Sequence, residues 1–160
     1  MKTKHTQELV LDARNRSVSW NKRAEQLIEM GLEKLDLELG IISRINQDKY
    51  TVLYSNNQEL IGKEFQLGVT YCQITMSLRH SRVLAVENFA VSDYFRHPAY
   101  KEFNLEAYIG GPIVYNERPL GTINFTKSEK RTSSFTSEEK EFTKKLAKAA
   151  AFLVMESNMK

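Results

Sequence analysis

The stretch EAYIGGPIVYNERPLGTINF, Glu106 to Phe125, decides the fold. Two apolar, β-branched and aromatic runs flank Asn116-Glu117, which reads as a β-hairpin. Gly110-Gly111-Pro112 interrupts the first run. Glycine weakens a strand and proline removes a ladder donor. The pattern therefore predicts a bulge or strand start at Pro112, and close approach of another segment at Gly110. Asn116-Glu117 is a poorer turn than Asn-Gly, so the flanks identify this hairpin more than its turn does.

Downstream, Thr136 is followed three residues later by Glu139, a capping box opening the helix SEEKEFTKKLAKAAAFLVMES. Upstream, GIISRI (40–45) and YTVLYS (50–55) are strands joined by NQDK. EFQLG (64–68) is a short strand, YCQITMSL (71–78) a short helix and RVLAVEN (82–88) a strand. Residues 91–106 are irregular, with a short helix starting at Pro98. Ser19 caps a helix whose apolar positions are Ala24, Leu27, Ile28, Leu32 and Leu35. Residues 1–18 form a flexible or partly helical lead-in, and 19–158 form one domain. Sequential hairpins bounded by two helices give an α+β fold with a mostly antiparallel sheet and both terminal helices on one face.

Bulk composition narrows the function. Lys and Arg number 23 against 20 acidic residues, well mixed, so there is no nucleic-acid footprint. Cys72 is the single cysteine, which excludes an internal disulfide and a CxxC metal site and fits a cytoplasmic location. The N-terminus has no apolar core of signal-peptide length, and the longest apolar run, Ala149 to Met155, is far too short to span a membrane. The chain itself is therefore not expected to insert into a membrane, although it could be one module of a longer receptor. There is no Ser-His-Asp arrangement, HExxH or Gly-rich phosphate loop, so neither a catalytic residue nor a metal ligand is assigned.

LGIISRI, FQLGVTYC, HPAY, AYIGGPI, PLGTINF and SFTSEEKEFTKKLA stand in an order and spacing that resemble a GAF domain over residues 20–155. The nearest likeness is a subgroup with Thr-Tyr-Cys before the middle helix and His-Pro-x-Tyr before the fifth strand. The resemblance implies a six-stranded antiparallel sheet with the terminal helices on one face. On the other face, residues 70–80 and 90–105 would roof a small-molecule pocket. It also implies a non-catalytic sensory role, with a kinase, diguanylate cyclase or similar signalling output module as partner.

Under that resemblance the expected ligand-binding residues are Tyr71, Thr75, Asp93, Tyr94, His97, Tyr108 and Asn124. The tyrosines would wall the pocket and the polar groups would orient an unidentified small molecule. The same tyrosines could instead fill the pocket, leaving a ligand-free dimerisation module. GAF domains that attach a bilin covalently usually carry Cys-His before the fifth strand. Here Arg96 precedes His97, so no covalent bilin is expected. A branch of the family reduces free methionine sulfoxide with several cysteines; the lone Cys72 reads better as a buried hydrophobe. Asn124, Lys127, Phe135, Glu138 and Glu139 look like a degraded cyclic-nucleotide pattern, and the simpler reading gives Phe135 and the glutamates to the start of the last helix. Finally, the apolar arc of that helix is broader than a sheet contact needs. It predicts a homodimer through Trp20, Ala24, Leu27, Leu146, Ala150 and Leu153, unless the two helices satisfy each other within one chain.

Overall fold

The computed structural model describes residues 2–69, 82–88, 90, 92 and 105–158, with side chains from residue 8 onward. Helix α1 (Lys2–Arg14) and helix α2 (Trp20–Leu35) precede strands β1 (Leu39–Asn46), β2 (Lys49–Ser55), β3 (Glu64–Gln66) and β4 (Leu84–Val86). The hairpin β5 (Ala107–Tyr115) and β6 (Arg118–Lys127) and the long helix α3 (Ser137–Asn158) follow. Among the described residues the strands form one antiparallel sheet of order β3-β2-β1-β6-β5-β4. The α+β architecture expected from the sequence is therefore present. The expected helix at 71–78 and the segment from Asp93 through the helix at Pro98 fall outside the described residues.

Local chemistry accounts for the element ends. Ser19 Oγ accepts from Lys22 N at 3.2 Å to open α2, and Asp36, at φ 54°, closes it. At the start of α3 the capping box is reciprocal: Glu139 N donates to Thr136 Oγ1 at 3.0 Å, and Thr136 N donates to Glu139 Oε1 at 2.9 Å. Arg131 Nη2 donates to both Glu139 oxygens at 3.0 Å. Phe135 is buried beneath the Arg131 guanidinium, 4.1 Å from ring centre to Cζ. Phe135 and Glu139 thus serve the helix start, as the simpler reading had it.

Burial pushes the Glu139 carboxyl up, but the Thr136 amide and Arg131 together outweigh it and hold the group below its ordinary value of 4.5. The folded value lies below the unfolded one. The contribution is therefore present above about pH 4.5 and is lost as pH falls through the folded value. Glu139→Gln is expected to cost about 1–2 kcal/mol at pH 7 and less as the pH is lowered below about 4.5, read from urea unfolding across that range.

Alternation along β5 and β6 sets the two faces of the sheet. Ile109 and Ile113 of β5, with Ile123 and Phe125 of β6, pack into the same core as Leu27 and Ile28 of α2 and Leu146 and Leu153 of α3. Each such buried side chain contributes about 1.5–3 kcal/mol. α2 starts beside the C-terminal end of α3, where Trp20 Nε1 donates to Leu153 O at 2.9 Å. It ends beside the N-terminal end, where Lys34 meets Glu138 at 3.1 Å, so the two helices run antiparallel. α1 packs chiefly on α3 and buries Leu9 and Ala13. The lead-in is thus helical over Lys2–Arg14 and docked.

Asn116 and Glu117 both have positive φ (49° and 65°), the two-residue geometry that matches strand twist. Pro112 lies inside β5, paired with Thr122, one residue before an irregularity at Ile113/Val114. Thr122 turns its own N–H toward β1, to Ser43 Oγ at 3.2 Å. The Pro112–Thr122 pair therefore exchanges no ladder bonds, and the proline nitrogen faces the far side, beyond the last described β4 pair, Leu84 with Gly110.

Candidate ligand-binding face

The side of the sheet opposite the helices carries the candidate site. Register places Tyr108, Gly110 and Pro112 of β5 on it, and beside them Thr126, Asn124 and Thr122 of β6. Across β1 the partners of these β6 residues are Leu39, Ile41 and Ser43. Leu84 and Val86 of β4 pair with Gly110 and Tyr108 and complete the apolar border. These are central strands, and the face is covered: Tyr108 is 1%, Asn124 3%, Thr126 2%, and Ser43 and Thr122 0% exposed.

A buried surface of hydroxyls and an amide is costly unless its hydrogen bonds are made. Ser43 Oγ and Thr122 Oγ1 lie 2.8 Å apart and satisfy each other across the β1–β6 seam. Asn124 Nδ2 donates to Thr122 Oγ1 at 3.5 Å, a long contact. The Tyr108 ring lies over Gly110 of its own strand. A methyl group on Gly110 would stand 2.7 Å from the ring atoms Cε1 and Cζ. Gly110 is therefore the residue that makes room beside Tyr108.

The family resemblance implies extra room, or a bend, beside Tyr108 at Gly111, and the structure corrects this. The Gly111 hydrogen faces the helix layer, 3.5 Å (as a built Cβ) from Ala147 Cβ. The extra space it leaves is a cavity of about 110 Å³ between β5 and α3, lined also by Pro112, Val114, Lys144 and Lys148. A strand interior whose two faces are both buried gives no sequence clue to which face a glycine serves.

Of the seven expected ligand-binding residues, the structure brings Tyr108 and Asn124 together on one face, two residues apart in register. Tyr71, Thr75, Asp93, Tyr94 and His97 lie outside the described residues, as does Cys72. Ser43, Thr122 and Thr126 were missed. The alternation of Thr122, Asn124 and Thr126 with Ile123 and Phe125 gives β6 one polar face, but that pattern equally fits a solvated face and does not signal burial.

The six residues expected at a dimer interface are accounted for within the chain. Ala24, Leu27, Leu146, Ala150 and Leu153 are at most 3% exposed, and Trp20 is tied to Leu153. α3 packs on the sheet, on α2 and on α1, which gives its broad apolar arc three intrachain partners.

Comparison with known proteins agrees with this architecture. The family model of the GAF domain matches residues 20–155. No curated protein matches the sequence. Among solved structures, the GAF domain of the phosphoenolpyruvate-protein phosphotransferase of Acinetobacter superposes with a TM-score of 0.74 at 14% identity, covering 99% of this chain and 95% of that one. The phycoerythrobilin-bound GAF domain of a cyanobacterial phytochrome gives 0.70 at 16%, covering 98% of both. A domain assigned to a two-component sensor histidine kinase of Sinorhizobium meliloti 1021 gives 0.62 at 12%, covering 87% and 93%. The fold and the family match define a small α+β module. The chain belongs to the GAF domain family. No described helix is long and apolar enough to cross a membrane.

Proposed function

We propose that this GAF domain is a non-catalytic sensor that holds a small molecule against the Tyr108–Asn124 face and reports its occupancy through the terminal helices. The observation that carries the reading is the buried, uncharged polar surface of β1 and β6. A sheet face packed only against its own chain would be cheaper to build from apolar side chains. The ligand would favour one of two arrangements of the segments above this face, and α3, packed directly behind β5 and β6, would carry the change onward. A kinase, diguanylate cyclase or similar module is the proposed recipient; the histidine kinase and phosphotransferase contexts of similar domains support this. Homodimerisation belongs to the same proposal. With five of the six expected residues buried and Trp20 part-buried, contact would fall to the outer surface of the helix layer, where Leu11 is 64% and Met30 39% exposed.

A second reading, a ligand-free dimerisation module with a filled pocket, has one observation in its favour: the Tyr108 ring itself occupies the space above Gly110. Native mass spectrometry of freshly purified protein separates the two. A species heavier than the 18.5 kDa polypeptide by a discrete small-molecule mass is expected. Gly110→Ala, which drives the ring off the strand into the ligand space, is expected to lower its retention roughly tenfold, equivalent to about 1.4 kcal/mol. Bare polypeptide or its bare dimer, unaltered by the substitution, selects the second reading.

A further inference from the structure

Thr126 stands apart from the other polar groups of this face. It is 2% exposed, and its Oγ1 is buried without a hydrogen-bond partner among the described residues. Its carbonyl oxygen is occupied, accepting from Glu38 N at 3.0 Å, whereas the hydroxyl is not. Ser43 and Thr122 have each other, and Asn124 leans on Thr122. A hydroxyl offers one donor and two acceptor positions, and valine would fill the same volume in a strand without the desolvation cost. An unmet buried hydroxyl in the centre of a sheet is thus unfavourable unless something is brought to it.

Resting on the sensor reading, we propose that Thr126 is the contact through which this face holds the ligand, and that the group it holds is neutral: a carbonyl, amide or hydroxyl edge. The groups around it on the same face are Tyr108 across β5, Leu39 across β1, and Asn124 two residues along β6. None of them carries a charge. A phosphate or carboxylate placed here would lose its hydration with no cation among the described residues of this face to replace it. A neutral acceptor or donor needs only the hydroxyl.

The test uses the full chain, freed of any co-purified small molecule by exhaustive dialysis, with 2-pyrrolidone as neutral amide probe and acetate as anionic probe. Backbone amide shifts are followed by NMR. Saturable shifts at Thr126, Asn124 and Gly110 are expected with 2-pyrrolidone and not with acetate. Thr126→Val should weaken the pyrrolidone response roughly fivefold, the share of one hydrogen bond, while Thr126→Ser retains it. Saturable pyrrolidone shifts that Thr126→Val leaves unchanged, or an acetate response as strong, would overturn the assignment to Thr126 while leaving a pocket on this face. No saturable response from either probe on this face overturns the assignment and counts against the sensor reading as well.

Discussion

Gly121→Ala is expected to abolish the folded domain. Gly121 lies opposite Arg44 where β6 pairs with β1, the two strands at the centre of the sheet. A methyl group built there would stand 2.8 Å from the Ser43 carbonyl carbon and 3.1 Å from Arg44 Cα, and closer still to the Ser43 oxygen. All three are backbone atoms, so no side chain can rotate aside. The strands would have to part, and the Ser43–Thr122 hydroxyl pair beside the contact would part with them. Backbone overpacking in a core of this kind belongs to the exceptional class of substitutions that cost more than about 4 kcal/mol, against a total stability of about 5–15 kcal/mol. The expected result is little soluble protein and no cooperative thermal transition by circular dichroism. A melting temperature within about 2 °C of the parent would show that β1 and β6 can slide apart at no cost, and the close-approach argument would fail. Gly110→Ala is the useful contrast: its clash is with the end of one tyrosine side chain, so that variant should fold.

Elements whose signals are local were legible in the sequence. Thr136 and Glu139 lie three apart and cap each other as read, and Ser19 caps α2. The hairpin around Asn116 was found from its flanks, with both turn residues at positive φ. The six-stranded sheet came from the family resemblance, because the edge strands β3 and β4 are only three residues each and carry little periodic signal. What stayed hidden depends on distant partners. Which face Gly111 serves is decided by Ala147, and the polar face of β6 is visible only once β1 and β5 are known to flank it. Threonine is a good strand former on a wet face or a dry one, so Thr122 and Thr126 do not announce their burial. The broad arc of α3 was equally ambiguous. Two helices and a sheet within the chain present the same pattern in sequence as one partner subunit would, and only the burial of Leu146, Ala150 and Leu153 distinguishes them.

Glu156→Ala is expected to release α1 from the body of the domain. Arg23 of α2 is 5% exposed, yet it is the meeting point of three helices. Its Nη1 donates to Ala13 O at 2.8 Å and its Nε to Val18 O at 2.9 Å, holding the end of α1 and the link that follows it. Its Nη2 lies 2.8 Å from Glu156 Oε2 of α3, an ion pair off the line of a hydrogen bond. Arg16 reaches the other oxygen at 3.2 Å, but its side chain is 67% exposed. Removing Glu156 leaves a buried guanidinium with three carbonyls and no counter-charge, which costs about 3 kcal/mol. Removing Arg16 removes a screened surface contact worth about 0–1 kcal/mol. The 13-residue α1 is too short to persist in water without its packing on α3. In Glu156→Ala, amide hydrogens of residues 2–14 should therefore exchange much faster than in the parent, while those of β5 and β6 stay protected. Arg16→Ala should leave both regions near the parent, and replacing Arg23 by Met together with Glu156 by Leu should restore much of the lost stability without restoring the bond to Ala13. Unchanged exchange across α1 in Glu156→Ala would show that Leu9 and Ala13 hold that helix by packing alone. With the clamp intact, the C-terminal end of α3 cannot shift without drawing Arg23 and the end of α1 with it. A change begun at the Tyr108–Asn124 face would then reach both ends of the chain together.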